Sequence, residues 1–264
     1  MLAYASQFKL ISAKDVGEIS DQYNSLFTPE GFTFSIWGII YIALIISCIY
    51  HIVIAYRHDK IHEANKDIEK MGALFLFNNI GAAAWLIAWT NGLIGLSLVL
   101  IVAQLISLIA IHSSLHIRKV DKSLKGIIYT EIPLSIYLGW ISIATIANTA
   151  IFLLHTGWGG WGISSINWTI IMITIAVVLT IGIIISKKNP VFGLVVIWAL
   201  YGIIAKQQGE NPILLKTTIA IAWVGIGIIS AATIIQFMQN TFARKKQHLH
   251  DKNNVFPLAH HSLK

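Results

Sequence analysis

Seven long apolar runs, separated by short polar stretches, set the pattern of this chain. They are Phe34–Tyr56, Met71–Thr90, Leu93–Ile117, Ile127–Leu154, Ile166–Ser186, Pro190–Ala205 and Ile213–Met238, called α1 to α7 below. A helix needs about 20 mostly apolar residues to cross a bilayer, and all but α6 have them. With 16 residues, α6 reads as a short span, less tilted than the others or partly re-entrant. None of the runs alternates apolar and polar positions as a barrel strand must. The pattern predicts an all-α, polytopic membrane bundle of about seven transmembrane helices.

Composition sharpens that reading. Hydrophobic residues make up 56 % of the chain and charged residues 12 %, about half the charged share of a soluble domain. A soluble enzyme and a disordered chain are both excluded. The single cysteine, Cys48, excludes an intrachain disulfide.

The net charge of +7 invites a nucleic-acid reading, but the placement of the charges argues against it. Most basic residues fall between α1 and α2 (Arg57, Lys60, Lys66, Lys70), between α3 and α4 (Arg118, Lys119, Lys122, Lys125), at Lys187 and Lys188, or in the tail beyond α7. The positive-inside rule puts those loops and the C-terminus in the cytoplasm, as expected of a bacterial inner-membrane protein. Before α1, Met1–Leu10 is apolar but too short to span, and Ser12–Glu30 reads as a polar outer loop. No cleavable signal peptide is visible. The basic, histidine-rich tail of residues 240–264 reads as flexible.

Candidate chemistry is sparse. No HExxH, GxSxG, P-loop or CxxC pattern occurs, so no enzyme signature is present. Histidine aside, Glu131 and Lys216 are the ionisable residues of the spans. Each lies near a span end, where snorkelling, or for Glu131 a cap near Pro133, accounts for it. Lys216 in the last of seven helices raises a retinal Schiff base, yet no span carries an aspartate counter-ion. His112 and His116 share a helix face and His51 lies at similar depth. No cysteine or acidic ligand accompanies them, so no metal site is assigned.

The aromatics say more. Of nine tryptophans, Trp37, Trp85, Trp89, Trp158, Trp161 and Trp168 lie on the outer side. Two readings stay open: a one-sided interfacial belt, or an outward-opening pocket for a flat apolar ligand. Asn78, Asn79, Gln104 and Asn148 lie within spans and must find partners, so they are expected to face the bundle interior. On α4, Tyr137, Trp140, Ala144 and Asn148 recur at spacings of three and four and share one face. That stripe is either a helix seam or one wall of a cavity.

These residues resemble the translocator protein family (TspO/MBR, the tryptophan-rich sensory proteins). Its last helix carries P-Y-x-x-W-x-x-x-A-x-x-x-N; Tyr137, Trp140, Ala144 and Asn148 match it, with Pro133 four residues before the tyrosine. α1 resembles the family's second helix through Pro29, Phe34, Trp37 and Tyr41. α2 resembles the third through Trp85 and Trp89, with Ala82 at the family's asparagine position and Asn78 and Asn79 one turn earlier. The runs Gly17-Glu18-Ile19-Ser20, Leu26-Phe27-Thr28-Pro29 and Phe32 to Gly38 resemble longer bacterial members. Those members carry a full helix earlier in the chain, of which Met1–Leu10 reads as the truncated end.

The resemblance implies a translocator-like core over residues 1–155, a three-helix membrane extension over 156–239 and the basic tail. It implies a membrane receptor or sensor for a hydrophobic planar ligand, a tetrapyrrole such as protoporphyrin IX or haem, with light-dependent porphyrin breakdown as an associated activity and a homodimer as its assembly. No cofactor is obligatory in this reading, and its partners are the lipid bilayer and the small ligand. The expected site lies between α1, α2 and α4. Trp37, Trp85, Trp89 and Trp140 would contact the ligand beside Ala144, and Tyr41, Tyr137, Asn79 and Asn148 would supply hydrogen bonds. The alternative is a small-molecule transporter or permease, motivated by the extra helices and the short α6.

Overall fold

The computed structural model describes residues 16–115 and 122–255, with side chains to residue 247. Met1–Leu10 and His116 lie outside the described residues. Each apolar run is a helix, and no strand occurs among the described residues. α1 covers Ile36–Arg57, α2 Glu63–Thr90, α3 Ile94–Leu115, α5 Ser165–Lys187, α6 Pro190–Glu210 and α7 Lys216–Val255. α4 runs over Leu124–His155 and contains a π-helical turn at Ile127–Glu131. All seven are long and apolar enough to cross a membrane. Helices satisfy this sequence because hydrocarbon offers no partner to a backbone N–H or C=O. Rows such as Ile39, Ile42, Ile46 and Ile49 on α1 remain exposed on the bundle's outside, where acyl chains would cover them.

α4 and α6 form the centre. Their most apolar windows are 56 % and 67 % buried, against 28 % for α1, α2, α5 and α7. They meet closely because Gly139 has no side chain: a Cβ there would lie 2.9 Å from the Val195 Cβ. α1 to α3 flank α4 on one side, and α5 and α7 flank α6 on the other. The alternating helices leave two ends. One gathers the tryptophans, the segment before α1 and the α4–α5 loop; the other gathers the lysine-rich loops.

Three boundaries depart from the sequence reading. α2 starts at Glu63 rather than Met71, and Gly72 (φ 49, ψ −143) breaks its polar first turns from its apolar body. Glycine tolerates that positive φ; a side chain would not. α6 is a continuous helix of 21 residues, neither short nor re-entrant. The apolar run ends at Lys206, but the helix does not, because that lysine meets an aspartate from elsewhere in the chain. This removes the short α6 as a motive for the transporter alternative and leaves the extra helices as the other. α7 continues to Val255, so the tail expected to be flexible is helical there, its Gln, Lys, Ala and Arg being good helix formers.

Among the titratable residues, Glu131 differs from expectation. It is fully buried rather than snorkelling, whereas Lys216 is exposed at the start of α7, in keeping with its place near a span end. His51 is buried with Nε2 3.1 Å from Thr130 Oγ1. At the lysine end, Lys122 Nζ pairs with Asp67 at 2.7 Å, both nearly enclosed.

Candidate functional site

The site grows from the turn that starts α1. A 3-10 turn, Gly31–Ser35, delivers the chain into α1 so that Trp37 points into the bundle, 6 % exposed. Trp85 and Trp89 stand one turn apart on α2 and stack at 5.7 Å. Trp37 lies 6.0 Å from Trp85 and meets Trp140 of α4 edge-on at 6.3 Å. Phe34 adds a second edge to Trp140 at 5.9 Å. Edge-to-face and offset pairs at these separations are favourable arrangements of aromatic quadrupoles.

Asn148 fixes part of this cluster. Its Oδ1 accepts from Trp85 Nε1 at 3.0 Å, and its Nδ2 donates to Ser97 Oγ of α3 at 3.2 Å. The amide therefore joins α2, α3 and α4 and orients an indole. Tyr41 stacks on Trp37 at 5.5 Å, and Tyr137 packs edge-on against it at 6.2 Å, its hydroxyl donating to Gln104 Oε1 at 3.4 Å. Both tyrosines back the cluster rather than line its cavity. Asn79 is not brought to the site: it is exposed and donates to its own helix at Phe75 O. Neighbouring helix positions differ by about 100°, and it is Asn78 that faces α3, donating to Gln104 O at 3.0 Å and Ser107 Oγ at 2.6 Å.

The four indoles, Ala144 and Asn148 line a cavity of about 30 Å³, room for one or two waters at most. Its remaining boundary is the segment before α1, through Val16, Ser20, Thr28 and Pro29. Two buried polar atoms of lining residues have no partner: Trp140 Nε1 and Ser20 Oγ. An unpaired buried donor is uncommon and needs an explanation. Sequence reasoning quoted Ser20 and Thr28 only as part of the resembling runs and missed Ser97, whose signal was its helical spacing from Ile94, Ile101 and Gln104 on the buried face of α3.

A second, larger cavity of about 710 Å³ lies at the same end between α4, α5 and the segment before α1, which lines it through Asn24, Ser25 and Leu26. Its roof is the α4–α5 loop, where Trp158 sits 5.1 Å from Trp168 and 5.3 Å from Trp161. Trp161 holds a left-handed backbone, φ 53. Its helix walls present Thr145, Thr149 and Thr169, whose hydroxyls donate to their own helix carbonyls. No group of three or more metal-ligating side chains occurs among the described residues.

Seven apolar helices, three of which enclose an indole-lined cavity with the segment before α1, define an integral membrane helical bundle. A family model described as TSPO-like protein matches residues 1–235, and the chain belongs to that family. The match covers α1 to α6 and much of α7, so the last three helices fall within the family pattern. No curated protein and no solved structure matches the chain. At family level, membership supports a membrane receptor or sensor.

Proposed function

We propose that the chain is a membrane receptor that takes a hydrophobic planar ligand, a tetrapyrrole such as protoporphyrin IX or haem, between α1, α2 and α4. The observation that carries this reading is the unpartnered Trp140 Nε1 within a cavity of four indoles. Indole faces stack on flat π-systems, and a lone buried donor fixes the orientation of a ligand that brings an acceptor. Trp37, Trp85, Trp89 and Trp140 contact the ligand, while Asn148 acts through Trp85. Ala144 keeps the α4 wall low. Ligand sites commonly enclose about 300–1,000 Å³, so the cavity opens before it fills.

Titration of the detergent-purified protein with protoporphyrin IX, read by tryptophan fluorescence, tests the proposal. Saturable micromolar quenching that Trp140→Phe/Asn148→Ala loses is the expected result. Absence of saturable quenching in folded protein overturns the tetrapyrrole assignment.

The 710 Å³ cavity favours a second reading, in which the ligand sits between α4 and α5 under Trp158 and Trp168. That reading predicts that Trp168→Phe, rather than the α4 double variant, abolishes the quenching.

A further inference from the structure

The segment Val16–Ser35 covers the small cavity, yet the side chains holding it down come largely from α6, a helix that does not line that cavity. Lys206 Nζ donates to Asp21 Oδ1 at 2.7 Å and lies 3.5 Å from Thr28 Oγ1. Gln207 Nε2 donates to Leu26 O at 2.9 Å, and Trp198 Nε1 donates to Thr33 O at 3.0 Å. Glu30 N donates to Gly202 O at 3.0 Å. The ties to α2 and α4 are fewer: Trp89 Nε1 to Val16 O at 3.1 Å, and edge contacts of Phe34 with Trp140 and of Tyr23 with His155, each at 5.9 Å.

We propose that α6 clamps the cover shut, and that releasing Lys206 and Gln207 from it opens the ligand cavity. The proposal rests on the ligand reading above. The geometry has the features of a latch rather than a permanent weld. Lys206 is nearly enclosed in a membrane helix, where a lone ammonium is costly, so it binds its aspartate. Asp21 keeps 52 % of its side chain exposed, so water can take over that carboxylate when the pair parts. Gln207 and Trp198 hold backbone carbonyls, which set the register of the cover. Gly202 lets the cover approach: a Cβ there would meet Thr33 Cγ2 at 2.8 Å and Pro29 Cβ at 2.9 Å. Pro29 and Thr28 also line the cavity, so movement at Gly202 passes directly to the ligand site. On this account the last helices have a function the cavity walls lack: they set how often the receptor is open.

Amide hydrogen exchange of the full chain in nanodiscs, first without ligand, tests the clamp. Lys206→Met keeps the apolar stem and removes the charge. It should raise exchange across residues 22–33 tenfold or more while α1 and α4 keep their protection. Protoporphyrin IX should then quench tryptophan fluorescence faster. Lys206→Arg should stay near wild type, which a general packing defect at this position would not allow. Should Lys206→Met fail to fold, Asp21→Asn and Gly202→Ala carry the test with the same expectation. Unchanged exchange at 22–33 in a folded variant overturns the clamp. Raised exchange with no change in porphyrin quenching leaves the clamp standing and overturns the ligand reading beneath it.

Discussion

Asn148 should be energetically coupled to Trp85, and a double-mutant cycle of Asn148→Leu and Trp85→Phe measures that coupling. Asn148 is 2 % exposed; its Oδ1 accepts from Trp85 Nε1 at 3.0 Å and its Nδ2 donates to Ser97 Oγ at 3.2 Å. Replacing Asn148 alone strands the indole N–H away from water, at a cost of about 1–3 kcal/mol. Trp85→Phe removes that donor, so Asn148→Leu in its background should cost less. Hydrogen-bond cycles within membranes average about 0.6 kcal/mol and reach about 1.7. A nearly fully buried amide with two side-chain partners belongs at the upper part of that range, so about 1–1.7 kcal/mol is expected. Reversible unfolding in bicelles, followed by near-ultraviolet circular dichroism, reads it. Because Trp85 stacks on Trp89 at 5.7 Å, the near-ultraviolet signal of Asn148→Leu should also weaken before unfolding. Additivity within about 0.3 kcal/mol would refute the view that this amide holds the indole in place.

Lys122→Met should destabilise the lysine end by about 3–5 kcal/mol, because it leaves Asp67, 3 % exposed, as a buried carboxylate without its partner; the Lys122→Met/Asp67→Leu pair should recover most of the loss in a thermal melt. Gly139→Leu should separate α4 from α6, since even a Cβ meets Val195 at 2.9 Å; overpacking of this kind costs about 1–3 kcal/mol, read as a lower melting temperature. Asn79→Leu should leave both stability and porphyrin quenching within error of wild type, as its exposed side chain bonds only its own helix in this structure; a loss of quenching would return Asn79 to the site.

The helices were legible because each apolar run is long and uninterrupted; spacing put Tyr137, Trp140, Ala144 and Asn148 on one face of α4, whereas it left Trp37, Trp85 and Trp89 open between an interfacial belt and a pocket, and the structure buries them. Helix length was misread at Lys206, where hydropathy treats a charge as an end and cannot register Asp21, 185 residues distant along the chain. The choice between Asn78 and Asn79 turned on helix phase at a single residue, which composition does not carry. Asn148 was expected to bond a ligand, whereas its amide is engaged by Trp85 and Ser97; a one-dimensional pattern shows which residues share a face but not which of them satisfy one another. The cover was visible as a polar stretch before α1, but its anchors on α6 follow only from tertiary packing.

A structure of the full chain with protoporphyrin IX tests the central claim most directly. The account predicts the macrocycle between α1, α2 and α4, against Trp37, Trp85 and Trp140, with an acceptor at Trp140 Nε1 and the Thr28–Pro29 cover displaced from Gly202. A macrocycle lodged between α4 and α5 beneath Trp158 and Trp168, with the cover still seated on α6, would contradict it.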